Sequence, residues 1–465
     1  MRKITEALSF LLLGCIASGC VSMGGSYTGA GAQAASGSAA GLLALADRYS
    51  LGKPEERDFA KALELYEQAA ARGSAEGMVN AAVMYENGRG TAKNAARALA
   101  LYRKAAAAKS PAGMFGLGNM YFNGTGVARN RQLAEMWWRK ADAAGSAPAA
   151  FNLARLAEQN GLAASDSMKL YAKAAYRGSA EAANVLGARY KNGNGVKQDF
   201  GSAYYWFYKA AEAGSAKAAY NLALLYIKGD GVSLDFGQAV KWLKTAADKG
   251  YVPAIVDLAV MYYSGSGVIT DRKKGIGLFR EAASDGNPVA LFYLGLACHR
   301  GESGACEDRR SAEKYLSRSA SLGYVPAQYV LAGIYEKEGG ARLPQAFELY
   351  RKAAVKGYAK ALNNLSLMYA SGRGTEKDGR QAFAIMKRCA EEGSAVCQHN
   401  LAEYYLQGTG TARDAVAAYG WAALASTGRP ESARLMEQAG ASLNADGVRR
   451  GRILSVQLIR KYHSR

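Results

Sequence analysis

Residues 215–250 read SAKAAYNLALLYIKGDGVSLDFGQAVKWLKTAADKG, and this stretch decides the fold of the chain. Apolar residues recur at helical spacing in its first half, up to Tyr226, and again in its second half, around Leu243. Gly229-Asp230-Gly231 separates the two halves, and Gly250 closes the stretch. Because glycine just beyond a helix readily adopts the left-handed backbone that ends it, the stretch predicts two amphipathic helices joined by a Gly-x-Gly loop.

The same plan recurs from residue 37 to residue 428 in eleven units. Each unit ends on a closing position, which is glycine in every unit but the one that ends at Lys109. Seven residues before every closing position lies a large apolar residue, which we expect to fill the core of its unit. The closing positions are 33 to 37 residues apart and are occupied by Gly73, Lys109, Gly145, Gly178, Gly214, Gly250, Gly286, Gly323, Gly357, Gly393 and Gly428.

A single helical hairpin cannot bury its apolar face, so neighbouring hairpins must stack into a continuous core. The sequence therefore predicts an all-α solenoid of about eleven helix-turn-helix units over residues 37–428. We expect residues 429–465 to form a C-terminal helical cap. A length of 465 residues suggests about three ordinary domains, but the repeat period indicates one array.

Composition narrows the class of protein further. The chain has 54 Gly and only 8 Pro, which disfavours a Pro-rich disordered chain. It contains no apolar run of about 18 residues, which excludes a polytopic membrane protein. Its 59 Lys and Arg against 39 Asp and Glu give a formal net charge of +20. A balance this basic favours anionic partners, such as an acidic protein, a membrane surface or an anionic polysaccharide.

The repeat pattern resembles that of the Sel-one-like repeat (SLR) family, a relative of the tetratricopeptide repeats. The resemblance rests on the Tyr of the first helix, the Gly-x-Gly loop, the Asp before the second helix and the closing Ala-Ala-x-x-Gly, best seen in 74–109 and 215–250. The unit at 146–178 is three residues short and has Gln159-Asn160-Gly161 in place of the loop. The resemblance implies a right-handed α/α superhelical solenoid that binds other proteins.

The first 36 residues read as a targeting segment followed by a tether. A basic start precedes a short apolar segment, Ala7 to Ile16, which is typical of a secretory signal. The motif that ends at Cys20 resembles a bacterial lipobox, which implies removal of a signal peptide over 1–19 and lipidation of Cys20. Ordinary signal cleavage further along is the alternative. Residues 20–36 then form a flexible tether, and Val21 favours an anchor on the periplasmic face of the outer membrane.

Four cysteines in the repeat region form two pairs with the same spacing, Cys298 with Cys306 and Cys389 with Cys397. Cys389 ends one helix and Cys397 opens the next, a placement that resembles the helix-pinning disulfides of cysteine-rich SLR proteins. Cys298 ends a first helix and Cys306 lies in the loop after it, and an oxidising periplasm would permit both bridges. The alternative is a metal site, because His299 and His399 lie close to the pairs. Two thiols and one imidazole per site leave zinc without a fourth protein ligand, so we predict no metal and no cofactor.

Two groups of aromatic residues suggest where partners bind. Six residues past several closing positions the first helix carries an aromatic side chain, and the resemblance implies that first helices line a concave groove. One ring per unit would form a ladder for a peptide or a glycan, and packing between repeats is the alternative. These five residues, called the aromatic stripe below, are Phe115, Phe151, Tyr220, Phe292 and Tyr329. The second group is the run from Tyr204 to Tyr208, which one helix cannot bury completely, so we expect part of it to be exposed.

No arrangement of residues indicates catalysis. The chain has three His, and none belongs to a recognisable Ser–His–Asp or Cys–His set. The Gly-x-Gly loops lack the third glycine and the βαβ context of a dinucleotide site. We therefore predict a non-enzymatic, lipid-anchored scaffold for envelope proteins, whose layout resembles the scaffold lipoprotein of alginate and exopolysaccharide export. A glycan- or cell-wall-binding module and a secreted or surface SLR factor that binds host proteins are the alternatives. Nucleic acid is not expected as a partner.

Overall fold

A computed structural model describes residues 38–306 and 309–463. Within these ranges the chain forms 24 α-helices, two short 3-10 helices and connecting loops, and it contains no β-strand. The chain divides into two compact units, one up to Ala254 and one from Ile255 onward. The predicted signal peptide, Cys20 and the whole predicted tether lie outside the described residues.

The helices follow one another as hairpins, and each packs mainly against its neighbours in the chain. The first unit holds α1 Ala39–Leu51, α2 Phe59–Ala71, α3 Ala75–Asn87, α4 Ala95–Ala107, α5 Pro111–Asn123, α6 Arg131–Ala143, α7 Ala147–Gln159, α8 Ala164–Tyr176, α9 Ala180–Asn192, α10 Phe200–Glu212, α11 Ala216–Lys228 and α12 Phe236–Ala247. The second unit holds most of α13 Val252–Ser264 and all of α14 Arg272–Ser284, α15 Pro288–His299, α16 Arg309–Ser321, α17 Val325–Glu338, α18 Leu343–Val355, α19 Ala359–Ser371, α20 Gly379–Glu391, α21 Ala395–Gln407, α22 Ala415–Ser426, α23 Ser432–Ala441 and α24 Ala445–His463.

The large apolar residue predicted seven positions before each closing position is buried in all eleven units. Its exposed fraction is between 0% and 6% at every one of these positions. The residues are Tyr66, Tyr102, Trp138, Tyr171, Phe207, Leu243, Phe279, Leu316, Tyr350, Met386 and Trp421. Burying one such side chain stabilises the folded chain by about 1.5–3 kcal/mol, so each second helix contributes at least one large buried side chain to the core of its hairpin.

Polar caps determine where the helices begin. Most first helices follow a serine whose hydroxyl accepts a hydrogen bond from a backbone N–H in the first turn, as Ser74 does from Gly77 at 3.1 Å. Most second helices follow an aspartate or asparagine in the same role, as Asp235 does with the N–H of Gln238 at 3.0 Å. The alternation of the two cap types along the sequence therefore marks which helix of a hairpin begins.

Lys109 adopts the backbone conformation of the glycine that it replaces. Its φ is +58°, and it is the one residue other than glycine with a positive φ in the described ranges. The closing glycines on either side, Gly73 and Gly145, have φ values of +83° and +93°. Because the left-handed region costs a residue with a Cβ roughly 1–2 kcal/mol, the packing of the repeat imposes this turn even where glycine is missing.

The chain after Gly428 forms α23 and α24, and both helices pack against α22. Small residues permit the close approach, because a Cβ on Gly420 would lie 2.8 Å from the side chain of Leu454. The Trp421 and Tyr462 rings are 5.9 Å apart. These contacts cover the apolar side of the last hairpin, which would otherwise have no following repeat to pack on.

Candidate interaction surfaces

The aromatic stripe packs between repeats in the structure. Three of its rings lie against a tyrosine that directly follows the next closing glycine. The ring centroids are 5.3 Å apart in each of the pairs Tyr220–Tyr251, Phe292–Tyr324 and Tyr329–Tyr358. In most other units this position holds the serine cap of the next first helix. The tyrosine after the closing glycine is therefore a sequence signal for this packing, and the spacing of the stripe residues alone does not reveal it.

The remaining two stripe residues are also half-buried. The Phe151 ring lies 5.7 Å from the Tyr171 ring of its own hairpin. Phe115 packs against the buried cluster that includes Trp138 and Leu156. None of the five stripe side chains belongs to the exposed class, and Phe292 is only 9% exposed. The geometry of the stripe therefore favours packing between helices over an open binding ladder.

The aromatic run on α10 is divided between core and surface, as the sequence predicts. Phe207 is fully buried and Trp206 is 8% exposed, whereas Tyr205 and Tyr208 are 45% and 38% exposed. The division follows from helix geometry, since residues 203, 206, 207 and 210 share the face that α10 packs into the core. Five consecutive rings exceed the width of that face, so two of them reach solvent.

Neighbouring second helices add rings to this exposed group. Tyr176, the last residue of α8, is 73% exposed, and its ring lies 5.2 Å from the Trp206 ring. On the other side of α10, the Tyr208 ring lies 5.9 Å from the Trp242 ring of α12. We call these residues the aromatic patch: Tyr176, Tyr205, Trp206, Tyr208 and Trp242. The patch spans three successive second helices within the first unit.

The three most exposed tyrosines among the described residues all lie in this patch. Of the tyrosines whose side chains the structure describes, three belong to the exposed class, and they are Tyr176, Tyr205 and Tyr208. The other described tyrosines are buried or half-buried. Tyrosine is thus a core residue of the repeat at most of its positions and a surface residue at this one place.

Cations surround the patch. The Lys209 ammonium lies 5.9 Å from the centroid of the Tyr205 ring. Lys173 and Arg177 share the carboxylate of Asp142, with the lysine Nζ at 2.7 Å. The three helices of the patch carry five lysines against two acids: Lys169, Lys173, Lys209, Lys241 and Lys244 against Asp166 and Glu212. The surface is therefore aromatic and basic at once.

The C-terminal helix presents a second basic surface. Arg449 and Arg450 both pair with Asp446, at 2.8 and 3.2 Å. Arg452 is exposed, and so are the aliphatic side chains of Ile453 and Val456, at 52% and 47%. Among residues 38–306 and 309–463, none of the helices has the length and apolar content that a bilayer crossing requires.

The structure brings both predicted cysteine pairs to disulfide distance. The Cα atoms of Cys298 and Cys306 are 5.5 Å apart, and those of Cys389 and Cys397 are 5.6 Å apart. The second pair joins the end of α20 to the start of α21, so it links consecutive repeats. Within the described ranges no three His, Cys, Asp or Glu residues converge on a point that could hold a metal ion.

Tyrosine–carboxylate hydrogen bonds recur between helices. Tyr335 donates to Glu313 at 2.7 Å, and Tyr350 donates to Glu336 at 2.8 Å. Burial, reinforced by the neighbouring Glu313, raises the pKa of Tyr335 to about 12. Glu158 differs, because hydrogen bonds from Ser167 and Arg189 outweigh its burial and lower its pKa. These hydrogen bonds join neighbouring helices.

The repeat pattern of the sequence and the hairpin geometry identify the family. The Sel1 repeat family matches the chain in ten segments, which together cover residues 39–146 and 180–428. The chain belongs to the Sel1 repeat family. The crystal structure of c5321, a protective antigen present in uropathogenic Escherichia coli strains, displays an SLR fold and is 30% identical over 92% of this chain and 93% of that one, with a TM-score of 0.74.

A Sel1 repeat protein from Oxalobacter formigenes is 26% identical over 73% of this chain and 89% of that one, with a TM-score of 0.46. No curated protein matches the sequence of the chain. The predicted all-α solenoid of Sel1-type units is confirmed by the family match and by the similarity to c5321.

One of the eleven predicted units lies outside the ten Sel1 matches. Residues 147–179 nevertheless form the same hairpin, α7 and α8, with the anchor Tyr171 at 2% exposure. The loop differs, since Gly161 alone has a positive φ there and Ala163 offers no side-chain cap to α8. The hairpin survives without the loop motif because its buried anchor is retained.

Proposed function

We propose that this Sel1 repeat protein is a non-enzymatic scaffold that holds two or more proteins of the bacterial envelope in one complex. The observation that carries the proposal is the array of ten Sel1 repeats over residues 39–146 and 180–428. Stacked repeats of this kind present long surfaces whose contacts are distributed over many units. Such a surface suits several partners at once better than it suits a single small substrate.

The scaffold role is tested by asking whether partners meet without the chain. A tagged chain is captured from gently solubilised membranes, and the proteins that co-purify are then captured individually from cells that lack the chain. Partners that hold together only when the chain is present support the scaffold. Partners that assemble equally well without it contradict the proposal.

A matched control is available in the repeat itself. Excision of residues 75–110 removes one matched repeat in phase and leaves both cysteine pairs in place, so the flanking hairpins can stack on each other. We expect this variant to fold and to bind each partner whose site lies elsewhere, while the partners on either side of the deletion are brought closer together. Crosslinking between partners therefore reports spacing separately from folding.

We further propose that Cys20 anchors the protein by lipid to the periplasmic face of the outer membrane. The sequence that ends at Cys20 supports this proposal, as does Val21 behind it. Two or more acyl chains suffice for stable anchoring. Cys15 lies within the predicted signal peptide and serves as the control. Metabolic labelling with an alkyne fatty acid should mark the wild-type chain and Cys15→Ser but not Cys20→Ser. Labelling of Cys20→Ser would contradict the assignment.

The layout of a lipobox, a tether and a solenoid makes a complex that exports exopolysaccharide the first candidate for the partners. The resemblance to the scaffold lipoprotein of alginate export supports this candidate. Deletion of the chain should then lower secreted polysaccharide without lowering the cytoplasmic pool of sugar nucleotides. Unchanged secretion in a strain that makes such a polymer would exclude this role.

A surface factor is the second candidate, and one observation favours it. The relative c5321 is a protective antigen present in uropathogenic Escherichia coli strains. If this chain is displayed on the cell surface, protease added to intact cells should cleave it. Protection in intact cells and cleavage after the outer membrane is permeabilised would place it on the periplasmic side instead.

A further inference from the structure

We propose that the aromatic patch binds an anionic polysaccharide, a linear polymer of sugar rings that carry carboxylate groups. The inference goes beyond the scaffold role, because a chain that binds only proteins has no need of such a site. It also moves the expected sugar contact from the first helices, where the stripe is packed, to the second helices α8, α10 and α12.

The rings supply the first part of the argument. Tyrosine and tryptophan present an apolar face with a polar edge, and a sugar ring likewise presents C–H groups on its faces and hydroxyls at its rim. The three exposed tyrosines of the described chain all lie in this patch. Their contacts with Trp206 and Trp242 span 5.1 to 5.9 Å between ring centroids. A linear polymer can therefore touch rings on three successive repeats.

The charges supply the second part. Each exposed segment of the patch places a cation next to an aromatic residue, as in Tyr176-Arg177, Tyr208-Lys209 and Lys241-Trp242. The nearby acids are fewer: Asp166 pairs with Lys169, Asp142 is shared by Lys173 and Arg177, and Glu212 lies one turn after Tyr208. The patch is thus net positive, which complements a polyanion.

The kind of cation separates a polysaccharide from a protein partner. Cores of protein–protein interfaces are enriched in aromatic residues and arginine but depleted in lysine. Five of the basic side chains on the three patch helices are lysines. Lysine is a flexible point charge that can follow carboxylates spaced along a polymer. Repeated weak contacts along one polymer then add through effective concentration.

The experiment titrates the full chain in detergent with three probes: polygalacturonate, neutral dextran and poly-L-glutamate. We expect binding to polygalacturonate that weakens as salt is raised, little binding to dextran, and weaker binding to poly-L-glutamate because it has no sugar ring. The double variant Tyr205→Ala/Tyr208→Ala should weaken polygalacturonate binding at least about tenfold and leave poly-L-glutamate binding unchanged. Both tyrosines are more than one-third exposed, so the variant should fold.

A charge-matched pair of variants locates the site. Lys173→Gln/Lys209→Gln and Arg452→Gln/Arg460→Gln each remove two cations, the first at the patch and the second on α24. Weaker binding in the first alone supports the patch. Equal weakening in both, or tyrosine variants that bind polygalacturonate like the wild type, overturns the proposal. The scaffold role is tested separately, by partner assembly, so neither result of the polysaccharide titration decides it.

Discussion

The aromatic stripe and the aromatic patch both consist of aromatic residues, but they differ in how far their side chains are exposed to solvent. Phe292 in the stripe is 9% exposed, while Tyr176 in the patch is 73% exposed. The stripe residue is covered because Tyr324, at the start of the next repeat, supplies a ring 5.3 Å away. Tyr176 rests on Trp206 with one side and faces solvent with the rest. Both residues meet a ring of the following repeat, at 5.3 and 5.2 Å, and their burial differs because Phe292 lies on the face that α15 packs into the core, whereas Tyr176 is the last residue of α8.

The largest expected effect is the loss of a covered stripe ring. Phe292→Ala should lower the free energy of unfolding by about 3 kcal/mol, because a large cavity would remain beside Tyr293 and Tyr324. Urea denaturation followed by circular dichroism measures the change. The control Tyr205→Ala removes a ring that is 45% exposed and should stay within about 0.5 kcal/mol of the wild type. Equal losses in the two variants would abolish the distinction between stripe and patch.

Ionisation in alkaline solution also separates buried tyrosines from exposed ones, because burial raises the pKa of a tyrosine and so makes stability depend on pH. Tyr335 is 7% exposed, and its pKa is raised to about 12 by burial and by Glu313. In the unfolded chain a tyrosine ionises near pH 10, so between about pH 10 and 12 the unfolded state releases a proton that the folded state retains. The stability that this tyrosine contributes is therefore complete below pH 10 and lost as the pH rises toward 12.

The variant Tyr335→Phe isolates that contribution, since it keeps the ring and removes the titrating hydroxyl. Between pH 9 and about pH 11.5 the wild type should lose roughly 2 kcal/mol more than the variant. Urea midpoints at the two pH values give the comparison. Parallel losses in both proteins would show that Tyr335 ionises at the same pH in the folded and unfolded states.

A smaller effect should come from the coupling between stripe rings and the tyrosines that cover them. Tyr329→Ala and Tyr358→Ala should be non-additive by about 1 kcal/mol, because their ring centroids are 5.3 Å apart. A double-mutant cycle in urea measures the coupling. Additive losses would mean that each ring is buried independently of the other.

The same position offers a second variant with an opposing gain. Tyr358 precedes α19 without a side-chain hydrogen bond to it, whereas Ser394 caps α21. Tyr358→Ser should therefore recover about 1 kcal/mol relative to Tyr358→Ala by capping the helix. A serine variant no more stable than the alanine variant would show that the backbone there cannot accept the cap.

The sequence alone predicts the structural features that recur within each unit. The anchor seven residues before each closing position is buried in all eleven units, and even Lys109 takes the left-handed turn expected of a glycine. These features depend on local spacing, which the sequence displays directly. The aromatic excess on α10 was likewise predictable, since Tyr204 to Tyr208 exceeds one buried face.

The side-chain contacts between one unit and the next could not be predicted from the spacing of residues. The stripe residues occupy one position in five units, but the rings that they meet differ: Tyr220, Phe292 and Tyr329 meet a tyrosine after the next closing glycine, whereas Phe151 meets Tyr171 of its own hairpin. The patch likewise needed the structure, because Tyr176 and Trp242 join α10 from repeats about 30 residues away on either side. The spacing of residues within a helix shows which face of the helix carries each residue, but it does not show the register between neighbouring helices.

The smallest expected effect concerns the most exposed ring of the patch. Tyr176→Ala should change the free energy of unfolding by less than about 0.5 kcal/mol, because a ring that is 73% exposed loses little solvent contact on folding. It should nevertheless uncover the Trp206 ring, so that a fluorescence quencher in solution can reach this ring. Loss of the extra quenching in the double variant Tyr176→Ala/Trp206→Phe would assign the signal to Trp206. A loss above about 1 kcal/mol would instead make Tyr176 part of the packing between α8 and α10. The patch would then be a continuation of the core, and its rings could not be removed to test ligand binding without unfolding the repeats that carry them.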